Sequence, residues 1–262
     1  MRYFQKTFRP DIIDGDVSKV IQSNATDLSF GTKDILFDWH TVDIPLGTDA
    51  IVDGLVHMYG EDGSHQGSHD FYLLIAKSNN GVAPTTLGEE NAAITGCYEL
   101  PDVLIGVMRF EGTSDATSAV EYGGHAGTIY NWSANSQSGS NNIVAIEPEN
   151  NNFGGQSTNR IYVAGICGAS GIYFSTGVLK DGAESSDAAT SLTTKTVDPR
   201  KAFRVGDTVY IHDVDTAVGT IASMTATNIT LNAAIAGGTD IADEDEFMNA
   251  QPITINLSFR GR

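Results

Sequence analysis

Short apolar or alternating runs fill this chain, and Gly, Ser, Thr, Asn and Asp interrupt them every ~8–12 residues, the spacing of an all-β sandwich or barrel. The pattern predicts strands over 34–42, 50–59, 70–76, 102–110, 127–132, 142–147 and 160–167. FYLLIA (71–76) and VLIGVM (103–108) are apolar at consecutive positions, so both read as central strands. Residues 50–59 mix Ile51, Leu55 and Tyr59 with Asp53 and His57, which predicts one wet face. Near the end, Ile253, Ile255, Leu257 and Phe259 alternate with Thr254, Asn256 and Ser258. That is a strand with one buried face. Helical pattern is confined to one short stretch, 16–23.

The texture changes twice. Residues 131–156 are polar and glycine-rich around one apolar run, IVAI, and read as a long exposed excursion. Such a loop carries recognition or simply solubilises. Residues 180–199 are small and polar and read as a linker or a loose hairpin. A compact β pattern follows, entered through Val205-Gly206-Asp207, with short strands at 220–224 and 228–231, a turn at Ala226-Thr227 and another at 237–240. The expected architecture is a jelly-roll-like β-sandwich over 1–180 and a small β-barrel-like domain over 181–252. Strand 253–259 would close a sheet ahead of a basic tail ending at 262. If that strand returns to the first domain, 200–250 is an insertion.

With 262 residues, 40% of them hydrophobic, the chain can bury a full core without disulfides or a metal. No apolar run approaches the ~18 residues of a membrane-spanning helix. The opening MRYFQKTFRPDIIDGD has no apolar stretch of the kind a cleaved secretory signal needs, so none is expected. Charge is the most unusual property: 33 Asp and Glu against 15 Lys and Arg give a net −18. Such a surface repels phosphate and disfavours nucleic acid. The cations gather at Arg2, Lys6 and Arg9, at Arg200, Lys201 and Arg204, and at Arg260 and Arg262. Either the acidity is solvated surface, or these basic groups dock onto an acidic partner.

Chemistry-bearing patterns are few. His57, His65, His69 and Asp70 crowd one short stretch with Glu61 and Asp62. In a hairpin loop the imidazoles of His65 and His69 could converge on a metal with Asp62 or Asp70. A solvated turn is the competing reading, and no obligatory metal is expected. The pairs Asp14/Asp16 and Asp213/Asp215 and the run 243–246 lack the ligand spacing of a calcium loop. No nucleophile elbow and no phosphate-binding loop occurs. Cys97 and Cys167 sit in apolar β-like contexts and read as buried structural thiols. Trp39 follows the apolar run ILFDW, and Trp132, at the edge of the polar excursion, either stacks a sugar or is a strand-end core aromatic. The expectation is a protein without catalytic residues or cofactor.

Residues 202–235 resemble a small β module frequent in structural proteins of tailed bacteriophages, particularly marine ones. The likeness lies in Phe203, Val205-Gly206-Asp207, Val209-Tyr210, Gly219-Thr220-Ile221 and Ile229-Thr230-Leu231. It implies a virion structural protein and carries over no catalytic residue. On that basis the expected role is a capsid decoration or cement protein, made in the host cytoplasm and held on the capsid surface. Its partners would be the major capsid protein or other virion proteins and further copies of itself, a trimer preferred, without nucleic acid or membrane. The alternatives are a neck, tail or receptor-binding component with a lectin-like sandwich, and a secreted carbohydrate-active β-sandwich protein. Tyr3, Phe4 and Phe8 with Arg2 and Arg9 mark residues 1–10 as the expected partner-binding anchor. The same segment could instead be the first edge strand of its own sandwich.

Overall fold

The computed structural model describes residues 2–13, 29–59, 70–79, 81–110, 119–121, 128–133, 143–146, 158–169, 171–182, 189–211, 214–235 and 241–261. It is almost entirely β, as the spacing of apolar runs predicts. Helix 16–23 and turn 237–240, read from the sequence, lie outside the described residues.

Two antiparallel sheets pack face to face. The first contains β1 (Arg2–Phe8), β4 (Thr48–Met58), β7 (Ala119–Glu121), β8 (Thr128–Ser133), β9 (Val144–Ala145) and β18 (Ile253–Gly261). Its order is β1-β18-β4-β8-β7, with β9 also on β4. The second contains β3 (Ile35–Pro45), β5 (Phe71–Ala76), β6 (Leu104–Phe110) and β10 (Thr158–Cys167), in the order β3-β10-β5-β6. A two-stranded ribbon of β2 (Ser29–Phe30) and β11 (Ile172–Tyr173) completes the sandwich. Strict alternation along β18 buries Ile253, Ile255, Leu257 and Phe259 against Phe37, Phe71, Leu73, Ile75 and Phe110 of the facing sheet. Phe71 stacks on Phe110 at 4.6 Å and meets Tyr130 edge-on at 4.9 Å, so the aromatics lock the two layers together.

The runs FYLLIA and VLIGVM have different fates. The first is central, between β10 and β5's other neighbour β6. Its Leu74 and Ala76 face away from the sandwich and are buried all the same, under the segment 82–103 with Leu87, Cys97 and Val103. The second run ends in an edge strand, β6, with Val107 47% exposed. Its apolar character reflects other covers. Val103 closes a one-turn helix, α1 (Leu100–Val103), in the covering segment, and Gly106 lies against Val144 of β9. A Cβ on Gly165 would stand 2.3 Å from the Phe37 ring, so β10 can pass β3 at its bulge only with glycine there.

The small sheet contains β12 (Val178–Lys180), β13 (Ser191–Thr196), β14 (Thr208–Ile211), β15 (Val214–Thr225), β16 (Asn228–Leu231) and β17 (Phe247–Asn249). The order is β12-β13-β16-β15-β14-β17 around a core of Val178, Leu192, Phe203, Val209, Ile221, Ile229 and Phe247. It does not close into a barrel. Its end strands meet at a single bridge, Leu179 with Glu246, where the Lys180 amide donates to the Asp245 carbonyl at 2.8 Å. Of the two readings of residues 180–199, linker or loose hairpin, the structure has the hairpin, β12 pairing antiparallel with β13. These residues hold β13, whose Leu192 and Thr194 are buried, because SLTTKT alternates at period two. Strand β18 then returns to the large sandwich between β1 and β4, so the small sheet is inserted between β11 and β18.

Candidate functional site

The N-terminal segment and the junction between the sandwich and the small sheet form one continuous structure. Strand β1 pairs along its whole length with β18, from Arg2 opposite Gly261 to Phe8 opposite Ile255. Its side chains alternate. Phe4, Lys6 and Phe8 are half-buried, and Arg2, Tyr3, Gln5 and Thr7 are exposed. Phe4 stacks on Phe259 at 5.1 Å and Phe8 on His40 at 4.9 Å. Burial beneath this cover holds His40 below the usual histidine range. Two of the three expected anchoring aromatics therefore pack within their own sandwich, and the segment is its edge strand. Tyr3 is 66% exposed, and Arg2 is exposed at the start of the strand. Lys6 is a cation on the inner face of an edge strand, a feature that discourages edge-to-edge pairing.

Beyond β1 the chain turns into the junction. Arg9 forms a two-pronged ion pair with Asp207, and its guanidinium also donates to the Gln251 carbonyl. Asp207 is buried and also accepts from the Arg204 amide at 2.8 Å and from Asn249 Nδ2 at 3.0 Å. Gln251 ties the Thr208 amide to Asp11 through its side chain. Arg204 Nε donates to the Tyr59 hydroxyl at 2.8 Å, and its guanidinium carbon lies 5.6 Å from the centre of that ring. Burial raises the Tyr59 pKa, opposed by the charges of Arg204 and Arg9. Tyr210, Met248 and Ala250 of the small-sheet region lie in the core of the sandwich. The arrangement has a mechanical consequence: charge and apolar packing together bolt the inserted sheet to both termini of the sandwich.

The remaining sequence-derived residues are scattered. Asp70 bonds Arg109 at 2.8 Å, while His65 and His69 lie outside the described residues. Among the described residues, no three His, Cys, Asp or Glu side chains gather as metal ligands would. Asp243 is paired with Lys195 at 2.7 Å. Trp132 lies in β8 in register with Gly54, and most of the polar excursion 131–156 falls outside the described residues. Trp39 donates its indole N–H to the Thr85 carbonyl beside the outer core. Both cysteines are buried and unpaired with each other. Burial pushes the Cys167 thiol to about 11. Cys97 is not in a strand. It sits at a turn with φ 53°, its thiol raised by burial and by the nearby Glu99.

Sequence reasoning missed the partner of Asp207. G-D-x-V signals a strand entry, but only the fold reveals that Arg9 reaches it across the chain. It also missed Tyr98, which stands 92% exposed beside a buried cysteine. No helix among the described residues is long and apolar enough to cross a membrane. The chain matches no protein-family model, no curated protein and no solved structure.

Proposed function

We propose that this chain is a structural component of a phage particle, a capsid decoration protein that binds the shell of the major capsid protein as a homo-oligomer. The observation that carries this reading is the use made of Asp207. It belongs to the Val205-Gly206-Asp207 motif of the phage-like module, and its carboxylate ties that module to Arg9 and Asn249. A decoration protein needs a stiff body more than a moving site, because many modest contacts repeated by symmetry hold it on the lattice. A buried network spanning both ends of the chain supplies that stiffness. At the junction Arg9 is paired with Asp207 and Arg204 with Tyr59, an arrangement that suits a mechanical role.

Co-sedimentation of the purified protein with empty capsids of the parent particle tests the reading. Pelleting in fixed stoichiometry, with capsids that resist heating better than bare ones, is the expected result. Protein that stays in the supernatant at saturating concentration would refute it.

A further inference from the structure

Two exposed apolar side chains stand at the tips of rigid turns, in surroundings of opposite charge. The first is Val205, 64% exposed. Its turn is pinned at both ends: the Asp207 amide donates to the Arg204 carbonyl at 3.1 Å, and the Asp207 carboxylate accepts from the Arg204 amide. Gly206, at φ 96°, makes the reversal possible. Around it the exposed cations Arg200, Lys201 and Arg204 form a basic cluster, with Arg200 partly offset by Asp198. On a chain of net charge −18 this is a local inversion of sign.

The second is Tyr98, on the segment that covers the outer face of the four-stranded sheet. Its turn is closed by the Leu100 amide on the Cys97 carbonyl at 2.9 Å. Glu99 fastens it to Thr85, accepting from both the amide and the hydroxyl. The Thr95 and Gly96 amides both donate to the Leu87 carbonyl, which ties the two halves of the segment together. Val82 and Ile94 are exposed on the same segment, and Glu89 and Asp102 are its exposed carboxylates.

We propose that these two surfaces dock onto each other between copies of this chain: the basic Val205 turn of one copy seats on the acidic Tyr98 segment of the next. The occupant is a second copy because the chain itself carries both complementary halves. Arg200 and Lys201 would meet Glu89 and Asp102, and a cation over the open Tyr98 ring adds an attraction that aromatic rings give to guanidinium and ammonium groups. Both turns are already ordered, so association loses little conformational freedom. The contact is heterologous, and repetition of it closes a ring or extends along a lattice. The inference rests on the proposed homo-oligomeric decoration role for its setting, and it deepens that role by naming the surfaces.

Sedimentation velocity of the free full-length chain is the test, with no capsid present. The parent should self-associate, and the charge-reversed chain R200E/K201E should weaken association at least about ten-fold, as like charges then face each other. E89K/D102K should do the same, and the chain carrying all four reversals should recover association. Far-ultraviolet circular dichroism confirms that each variant is folded, and the four-fold reversal keeps the test decisive if one pair is destabilising. A monomeric parent, or a four-fold variant no better than its halves, overturns the inference. A monomer that still pellets with capsids defeats only this contact. An oligomer that ignores capsids defeats the decoration role and leaves the contact standing.

Discussion

At the scale of single residues, Asp207 bears the greatest consequence. Its carboxylate is taken out of water and repaid by Arg9, Asn249 and a backbone amide. Removing one partner of such a pair leaves a buried charge uncompensated, typically at a cost of roughly 3–5 kcal/mol. Asp207→Ala is therefore expected to lower the unfolding free energy by about that amount in a urea titration. Replacing Arg9 and Asp207 together by apolar residues should cost distinctly less than either single change. Cys167 gives a pH dependence. Its thiol titrates at about 11 in the fold, above the ordinary value near 9. The unfolded chain thus gives up this proton first as pH rises. The stabilising difference is complete below pH ~9 and disappears as the pH climbs towards 11. Native protein at pH 8 should leave Cys167 unalkylated by iodoacetamide over hours, whereas urea-unfolded protein should react at once. Rapid labelling of the native thiol would contradict the burial argument.

At the scale of elements, strand β1 separates packing from docking. Deleting residues 1–9 removes the Phe4–Phe259 stack, the cover on His40 and the Arg9 clamp in one step. The shortened chain is expected to melt at least ~10 °C lower, given that 1 kcal/mol shifts a chain of this size by about 2–4 °C. A melting point within a degree or two of the parent would show that β1 does not support the sandwich. Because truncation disturbs folding, any docking role of this segment is better read from Arg2→Ser and Tyr3→Ser, which alter exposed positions only. The elements also mark what a sequence can disclose. Strand β18 was legible because period-two alternation survives intact from Ile253 to Phe259. Strand β5 was legible because an apolar run between polar breaks has few other uses. Strand β6 was misplaced, since an edge strand covered by a loop and a central strand have the same composition. Strand β13 was only half legible, because threonine alternating with leucine suits a linker as well as a hairpin arm until Thr194 is seen buried. The candidate site was the least legible part. Arg9 and Asp207 are separated by most of the chain, and neither the clamp nor the exposed Tyr98 leaves any local signature.

At the scale of the whole molecule, the inserted sheet and the sandwich share material. The small sheet has its own core, yet Tyr210, Met248 and Ala250 belong to the large one. Strand β18 begins three residues after Ala250 and buries every second residue from Ile253 to Gly261 in the sandwich. The first strand pairs with it, and Ile12, four residues past the end of that pairing, donates its amide to the Ala250 carbonyl at 3.0 Å. Unfolding the small sheet would therefore pull on β18, and unfolding the sandwich would release the ends of the small sheet. Two cores coupled in this way should melt as one. Differential scanning calorimetry of the full chain is expected to give a single transition whose van't Hoff and calorimetric enthalpies agree. Arg9→Met keeps the side-chain bulk and removes the clamp. It should broaden or split the transition, because the small sheet then loses its charged tie to the sandwich and keeps only the apolar one. Two separate peaks in the parent would mean that the sheets are thermodynamically independent, and that the buried network at Asp207 holds their geometry without coupling their stability.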